Sequence, residues 1–175
     1  MFVDNNIFVI SDLHLFHKRI IDLERPQFSS VEEMNNTIIS NWNNVVGDDD
    51  IVYVGGDYAV GGSTAQIEES IKQLNGHKIL ILGNHDYSRT KSRWKRMGFE
   101  EVLESKNIDN FILIVHAPVV NREKIRTGSI IVHGHVHSRK IEHPNYALVN
   151  MSAEVINFTP IRLNQLISEY FNFER

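Results

Sequence analysis

Five short polar motifs stand at or just past the ends of strand-like apolar runs, and this restricts the chain more than anything else in its 175 residues. Asp12-Leu13-His14 comes after Ile7–Ile10, Gly56-Asp57 after Ile51–Val54, and Gly83-Asn84-His85-Asp86 after Ile79–Leu82. His116 ends Phe111–Val115, and Gly134-His135-Val136-His137 begins one residue beyond Ile130–Val132. Groups delivered from the ends of neighbouring strands converge at one edge of a sheet, where open α/β folds place their sites.

The residue types suit metals. Asp12 and His14 are spaced i, i+2, so in an extended chain both project to one side and can share one ion. His135 and His137 repeat the spacing, with Gly134 allowing a tight turn. Gly55-Gly56 lets the backbone bend before Asp57, whose two carboxylate oxygens can bridge cations ~3.5–4 Å apart. Asn84 offers an amide oxygen, rarely chosen for structural sites, which are usually closed four-ligand sets often rich in Cys. Asp12, His14, Asp57, Asn84, His116, His135 and His137 therefore make seven ligands for one pair of divalent ions. His85 is left over, beside Asn84, to donate a proton to a leaving oxygen. The pattern points to a two-metal hydrolase.

Composition agrees. The chain has no cysteine, so disulfides and thiolate ligands are excluded and any metal must sit on nitrogen or oxygen. A formal net charge of −4 gives no general attraction for nucleic acid or acidic membranes. The length predicts one domain, residues 1–175, with a substantial core. Met1–Asn6 carries no basic region, and the apolar run after it is too short for a signal peptide or membrane span. A soluble, cytoplasmic protein without membrane partners is expected.

Tyr146–Val149 and Val155–Phe158 are weaker strand candidates. Ser30 and Glu33 form a capping-box pattern ahead of Val31, Met34, Ile38, Trp42 and Val45, recurring at helical spacing. A second helix starts near Ser63 or Thr64, buries Ile67, Ile71 and Leu74, and stops at Asn75-Gly76. A shorter one runs from about Ser88 to Met97, and a last one follows Pro160 with Leu163, Leu166, Ile167 and Tyr170 inward. Strands alternating with helices in the first half imply parallel crossovers, while short connections in the second half predict antiparallel pairs. The expected fold is α/β: two packed mixed sheets flanked by helices, an αββα sandwich.

The five motifs, in this order between residues 12 and 137, resemble the signature of the calcineurin-like metallophosphoesterase superfamily: Asp-x-His, Gly-Asp, Gly-Asn-His-(Asp/Glu), a lone His and Gly-His-x-His. The resemblance implies that Asp12, His14 and His137 hold one metal, that Asn84, His116 and His135 hold the other, and that Asp57 bridges them. A water or hydroxide between the ions is then the nucleophile, and His85 protonates or stabilises the leaving group. Manganese leads the metals implied, with iron, zinc, nickel, cobalt or magnesium as alternatives. Many relatives have Gly-Asp-x-x-Asp, the second Asp supporting the catalytic histidine. Here Val60 takes that position, so either Asp86 or another group orients His85, or the proton-donor role is weaker than in the phosphoprotein phosphatases; the arginine that usually follows in the Ser/Thr protein phosphatases is missing too. Those phosphatases are therefore disfavoured.

The chain is most similar to small, cap-less bacterial and phage-type phosphoesterases, through Ser11–His17, Arg25-Pro26 and Ser30–Asn35. That likeness makes His17 and Arg25 candidate phosphate or leaving-group contacts. A small phosphorylated substrate is expected, a phosphodiester or phosphomonoester with nucleotide-like compounds favoured. Arg89, Lys91, Arg93, Lys95 and Arg96 either steer an anionic substrate or form a solvated helix face with Trp94 and Met97 packed inward. This segment is the support for a nuclease or nucleic-acid-end-processing alternative. A non-catalytic scaffold on the same fold is disfavoured because no ligand is lost. His77, His133 and His143 receive no role, His133 being expected to face the core or a helix.

Overall fold

The computed structural model describes residues 4–118 and 125–173; Met1–Val3 of the N-terminal segment considered above lie outside them. In chain order the elements are β1 (Ile7–Ile10), α1 (Lys18–Glu24), α2 (Val31–Val45), β2 (Ile51–Val54), α3 (Thr64–Gln73), β3 (His77–Ile81), a 3-10 turn (Asp86–Ser88) and α4 (Lys91–Met97). There follow β4 (Glu101–Leu103), β5 (Ser105–Asn107), β6 (Ile112–Val115), β7 (Ile130–His133), β8 (Ala147–Asn150), β9 (Ile161–Arg162) and α5 (Leu163–Phe173).

Two mixed sheets result, in the orders β4-β3-β2-β1-β9 and β5-β6-β7-β8. Strand alternation builds the layers, because successive side chains point to opposite faces. Phe8, Ile10, Val52, Val54 and Leu80 face one cluster with Met34, Ile38, Trp42, Ile67, Ile71 and Trp94 of the helices. Val9, Tyr53, Ile79 and Ile81 face the other way, onto Ile112, Ile114, Ile130 and Val132 of the second sheet. The far side of the second sheet presents Leu113, Val115, Ile131 and Leu148 to Ile125, Ile141 and Tyr146.

The antiparallel second half is corrected: β6–β7 and β7–β8 are parallel, and among the described strands only β5–β6 and β1–β9 pair antiparallel. Both parallel returns are long connections, residues 116–129 and 134–146, the dozen or so residues that such a return requires. Val155–Phe158 is a turn, with Asn157 and Phe158 at φ 52° and 55°. The helix expected from Ser88 splits into the 3-10 turn and α4, and β9 intervenes between Pro160 and α5. Ser30 does cap α2, accepting from Glu33 N, but the Glu33 carboxylate turns to Ser29. The reciprocal capping box stands instead at Ser63 and Gln66 of α3.

Trp94 is the pivot between α4 and the site. It is fully buried, stands edge-on to Tyr58 and Phe99, and its indole N–H donates to the Asp86 carbonyl at 3.1 Å. Trp94→Ala should lower stability by about 3–5 kcal/mol through the cavity it leaves. A midpoint shift in urea denaturation would measure it; a loss below about 1 kcal/mol would show that the site collapses around the gap.

Candidate metal centre

After β1 the chain does not run on as a strand. Asp12, His14 and Phe16 take left-handed φ values of 58°, 48° and 66°, so the extended geometry expected at Asp-x-His is corrected. Every second residue still faces the same way: Leu13 and Leu15 turn into the core, whereas Asp12 and His14 turn toward the site. Asp57, His135 and His137 share the left-handed conformation, at 53°, 72° and 52°. Such backbone costs of order 1–3 kcal/mol per residue and persists only where surroundings impose it.

Backbone hydrogen bonds between the strand-end loops impose it here. Asp12 N donates to Gly56 O at 2.9 Å, His14 N to Asp57 O at 3.0 Å, and Gly134 N to His116 O at 2.9 Å. Gly56, at φ 99°, lies so near the His116 ring and the Gly83 backbone that a side chain there would collide with both. The loops are therefore closed on one another, and their polar side chains are pressed together.

Asp12, His14 and His137 each offer a ligand atom within 4.8 Å of one another, and Asp12, Asp57 and His116 do the same. Asp57 lies between the groups: its Oδ2 is 3.7 Å from His14 Nε2 and 3.5 Å from His116 Nε2. The Asn84 amide oxygen is 3.0 Å from His116 Nε2 and 2.9 Å from His135 Nδ1. All seven predicted ligands thus come to one place. His85 joins them at the rim, half-exposed, its Nε2 3.9 Å from Asp57 Oδ2 and its ring edge-on to His14 at 5.5 Å.

The electrostatics fit divalent cations. Asp12 and Asp57 are buried in the same cleft, and burial raises the Asp12 carboxyl above its usual range, so a positive charge there is favoured. Burial, followed by the nearby Arg25 cation, drives His14 down to about 2, keeping its imidazole neutral. His14 Nε2 is buried with no hydrogen-bond partner, a lone pair costly to leave unpaired and suited to a metal. His116 has the kind of outer partner that ligating histidines use: its Nδ1 donates to the Gly55 carbonyl at 2.8 Å, so Nε2 faces Asn84 and Asp57.

Glu154 is the site residue that sequence reasoning missed. An isolated parallel bridge between Ser11 and Ser152 draws Ala153-Glu154 beside the Asp12 loop. Its Oε1 accepts from His137 Nδ1 at 2.9 Å and from Arg25 Nε at 2.8 Å. Burial would raise the Glu154 carboxyl, but these two partners bring it below its ordinary value. His137, lowered by burial, is raised more by the Glu154 hydrogen bond and charge, and ends above its ordinary value. The only local signal was a glutamate beyond the last motif, with no periodicity to mark it.

Two expected roles are corrected. Arg25 is fully buried: besides Glu154, it donates to Leu13 O at 2.7 Å, to Asp12 O, and to the Met34 sulfur. Its guanidinium props the Asp12–His14 loop from behind and is closed off from the surface where a phosphate contact was expected. Asp86 does not orient the His85 ring. Its Oδ2 accepts from Asp57 N and Gly83 N, both at 2.8 Å, and Oδ1 from Tyr58 N at 3.2 Å. Burial nevertheless pushes its carboxyl up to about 6. Asp86 thus ties the Asp57 and Gly83 loops together, and among the described residues no carboxylate stands behind His85 as Glu154 stands behind His137. His17 does approach the site, with Nδ1 3.3 Å from His14 Nδ1 and a partly exposed ring 6.5 Å from that of His85. In the basic segment, Trp94 and Met97 are buried, Lys91, Arg93, Lys95 and Arg96 are exposed, and Arg89 is half-buried over the Trp94 ring; Lys91 pairs with Glu104 and Arg93 donates to Thr64.

His137 would make metal binding at this site depend on pH. A metal binds the unprotonated imidazole, so affinity is full above the raised value of His137 and falls as pH drops through it. His14, already neutral, adds nothing in that window. Competition with a metal indicator should show about tenfold weaker binding per pH unit once below that point. A flat profile from pH 8 to 5.5 would remove His137 from the ligand set.

This fold and this convergence of carboxylates, imidazoles and one amide define a metallophosphoesterase-type site. The chain belongs to the calcineurin-like phosphoesterase family, whose signature matches residues 6–154. It is 36% identical over 167 residues to an uncharacterized protein of Methanocaldococcus jannaschii, covering 92% of this chain and 89% of that one. It is 32% identical over 166 residues to the gene 66 protein of Mycobacterium phage L5, covering 78% and 80% of the two chains. A solved protein of unknown function from Aquifex aeolicus shares the fold, with a TM-score of 0.71 at 24% identity over 93% of this chain and 97% of that one. Among the described residues no helix is long and apolar enough to cross a membrane.

Proposed function

We propose that the chain is a two-metal phosphoesterase that hydrolyses a phosphodiester or phosphomonoester, with nucleotide-like substrates favoured. The observation that carries this reading is the place of Asp57, its carboxylate within 4 Å of both His14 and His116, at the junction of two ligand groups. Asp12, His14 and His137 would hold one divalent cation, Asn84, His116 and His135 the other, and Asp57 would touch both. When bound, such a pair lowers the pKa of water to give a nucleophile at neutral pH and neutralises the phosphoryl oxygens. Manganese is the leading cation, with iron, zinc, nickel, cobalt or magnesium fitting the same donors.

The chain's own residues supply the rest. His85 stands at the exposed rim, where its imidazole can give a proton to the leaving oxygen. His17, beside His14, is placed to meet the same part of the substrate. Glu154 and the Gly55 carbonyl hold the His137 and His116 rings so that Nε2 of each faces inward. The nuclease alternative gains little, since Lys91 and Arg93 of the basic segment already have partners.

Metal-stripped protein resupplied with Mn, Ni, Zn or Mg and assayed on p-nitrophenyl phosphate and bis-p-nitrophenyl phosphate tests the proposal. Diester turnover restored by Mn or Ni is the expected result and directs the search to nucleotides. Preference for the monoester would move the substrate to small phosphorylated metabolites. Absence of turnover with every metal, despite two ions bound per chain, would overturn the hydrolytic reading.

A further inference from the structure

Beside the Gly134–His137 loop, between β8 and α5, lies a cavity of about 510 Å3 that none of the seven proposed ligands lines. Its size is that of a small-molecule site. Leu148, Val149, Ile156, Ile161 and Leu166 make the walls apolar. His133 also lines it and is fully buried. Its Nδ1 is 2.9 Å from the Gly134 carbonyl, which only accepts, so that nitrogen carries the hydrogen. Nε2 is then an acceptor, and it is buried without a partner. A buried acceptor of this kind calls for a donor.

Charge at the mouth narrows the chemistry. Exposed Arg139 and Lys140 line it against one carboxylate, Glu169, an excess of one positive charge. Lys140 also pairs with Glu142, and Glu169 already accepts from Gln165, so Arg139 is the main cation on offer. Asn150 lines the same cavity and donates to the His137 carbonyl at 2.7 Å. An occupant therefore rests on the side chains that brace both ends of the metal-bearing loop.

We propose that this cavity is a second ligand site, separate from the metal centre, for a small amphiphilic organic anion. The apolar body of the ligand fills the space, an N–H or hydroxyl group donates to His133 Nε2, and its acidic group lies at Arg139. The naphthalene sulfonate dye 8-anilinonaphthalene-1-sulfonate combines these three features, and 8-phenoxynaphthalene-1-sulfonate keeps the rings but has an ether oxygen in place of the N–H.

Fluorescence titration of the full chain with the anilino dye, with and without Mn, should show saturation near one per chain. 8-Phenoxynaphthalene-1-sulfonate should compete about tenfold more weakly, the worth of one hydrogen bond. His133→Phe should weaken the anilino dye by the same factor and erase the difference between the two probes. Val155→Trp, at an exposed position on the cavity lining, should block both probes, with circular dichroism confirming that the chain is folded. Should His133→Phe fail to fold, Val155→Trp and Arg139→Gln carry the test. Dye binding that is unsaturable, or equal in wild type and Val155→Trp, overturns the site. Neither result depends on hydrolysis, so a failure here is distinct from a failure of the phosphoesterase reading.

Discussion

Asp57→Asn should leave a folded chain that has lost more than about 100-fold of its metal-dependent turnover. Replacing an outer partner of a ligand typically costs 10–100-fold in affinity or activity, and a group touching both ions must cost more. Asparagine keeps the volume and one oxygen but removes the charge and the second strong donor, so one cation should be lost first. The fold should survive, because the Asp57 backbone remains held by Asp86 at 2.8 Å and by His14 N at 3.0 Å. The side chain does accept from His85 N at 2.9 Å, which the amide oxygen can replace. Metal content per chain, measured beside turnover, separates the causes. Unchanged turnover with two ions bound would refute the placement of Asp57 between them.

The second large effect is on stability. Arg25→Met should cost about 3–5 kcal/mol, the usual consequence of removing one partner from a buried ion pair. Glu154 would be left buried with His137 alone, and the Asp12 and Leu13 carbonyls would lose their donor. The left-handed residues Asp12 and His14 would then lack their prop, so metal affinity should fall together with stability. Glu154→Gln provides the contrast. It keeps the shape but weakens the hold on the His137 ring, and should cost 10–100-fold in metal affinity with a smaller effect on folding. Urea denaturation of the metal-free proteins and competition titration of the metal measure the two effects. An Arg25→Met variant within about 1 kcal/mol of wild type would show that the buried pair is not what holds the loop.

What could be read from the chain were the features governed by local rules. Apolar runs of three to five residues marked β1, β2, β3, β6 and β7 to within a residue or two, because a buried strand needs an unbroken apolar stretch. The side chains that converge on the candidate site were legible because groups able to bind metal are few in kind and stood where those runs end. The spacing also told that Asp12 and His14 face one way, although the backbone conformation that achieves it differs from the expected one. Short β4, β5 and β9, of two or three residues each, left no periodicity to find.

The supports around the ligands had to come from tertiary structure. Arg25 and Glu154 are 129 positions apart, and nothing near either residue says that they meet or that both are buried. Read alone, an arginine after a helix is a surface cation; in the fold it is enclosed by Asp12, Leu13 and Glu154. Asp86 likewise looked like a partner for its neighbour His85, yet its carboxylate is spent on backbone N–H groups of Asp57, Tyr58 and Gly83. Composition and strand ends by themselves determined which atoms are available to bind metal. Which charges hold those atoms in place was decided only by long-range contact, because a buried ion pair depends on where two distant segments cross and not on what flanks either one.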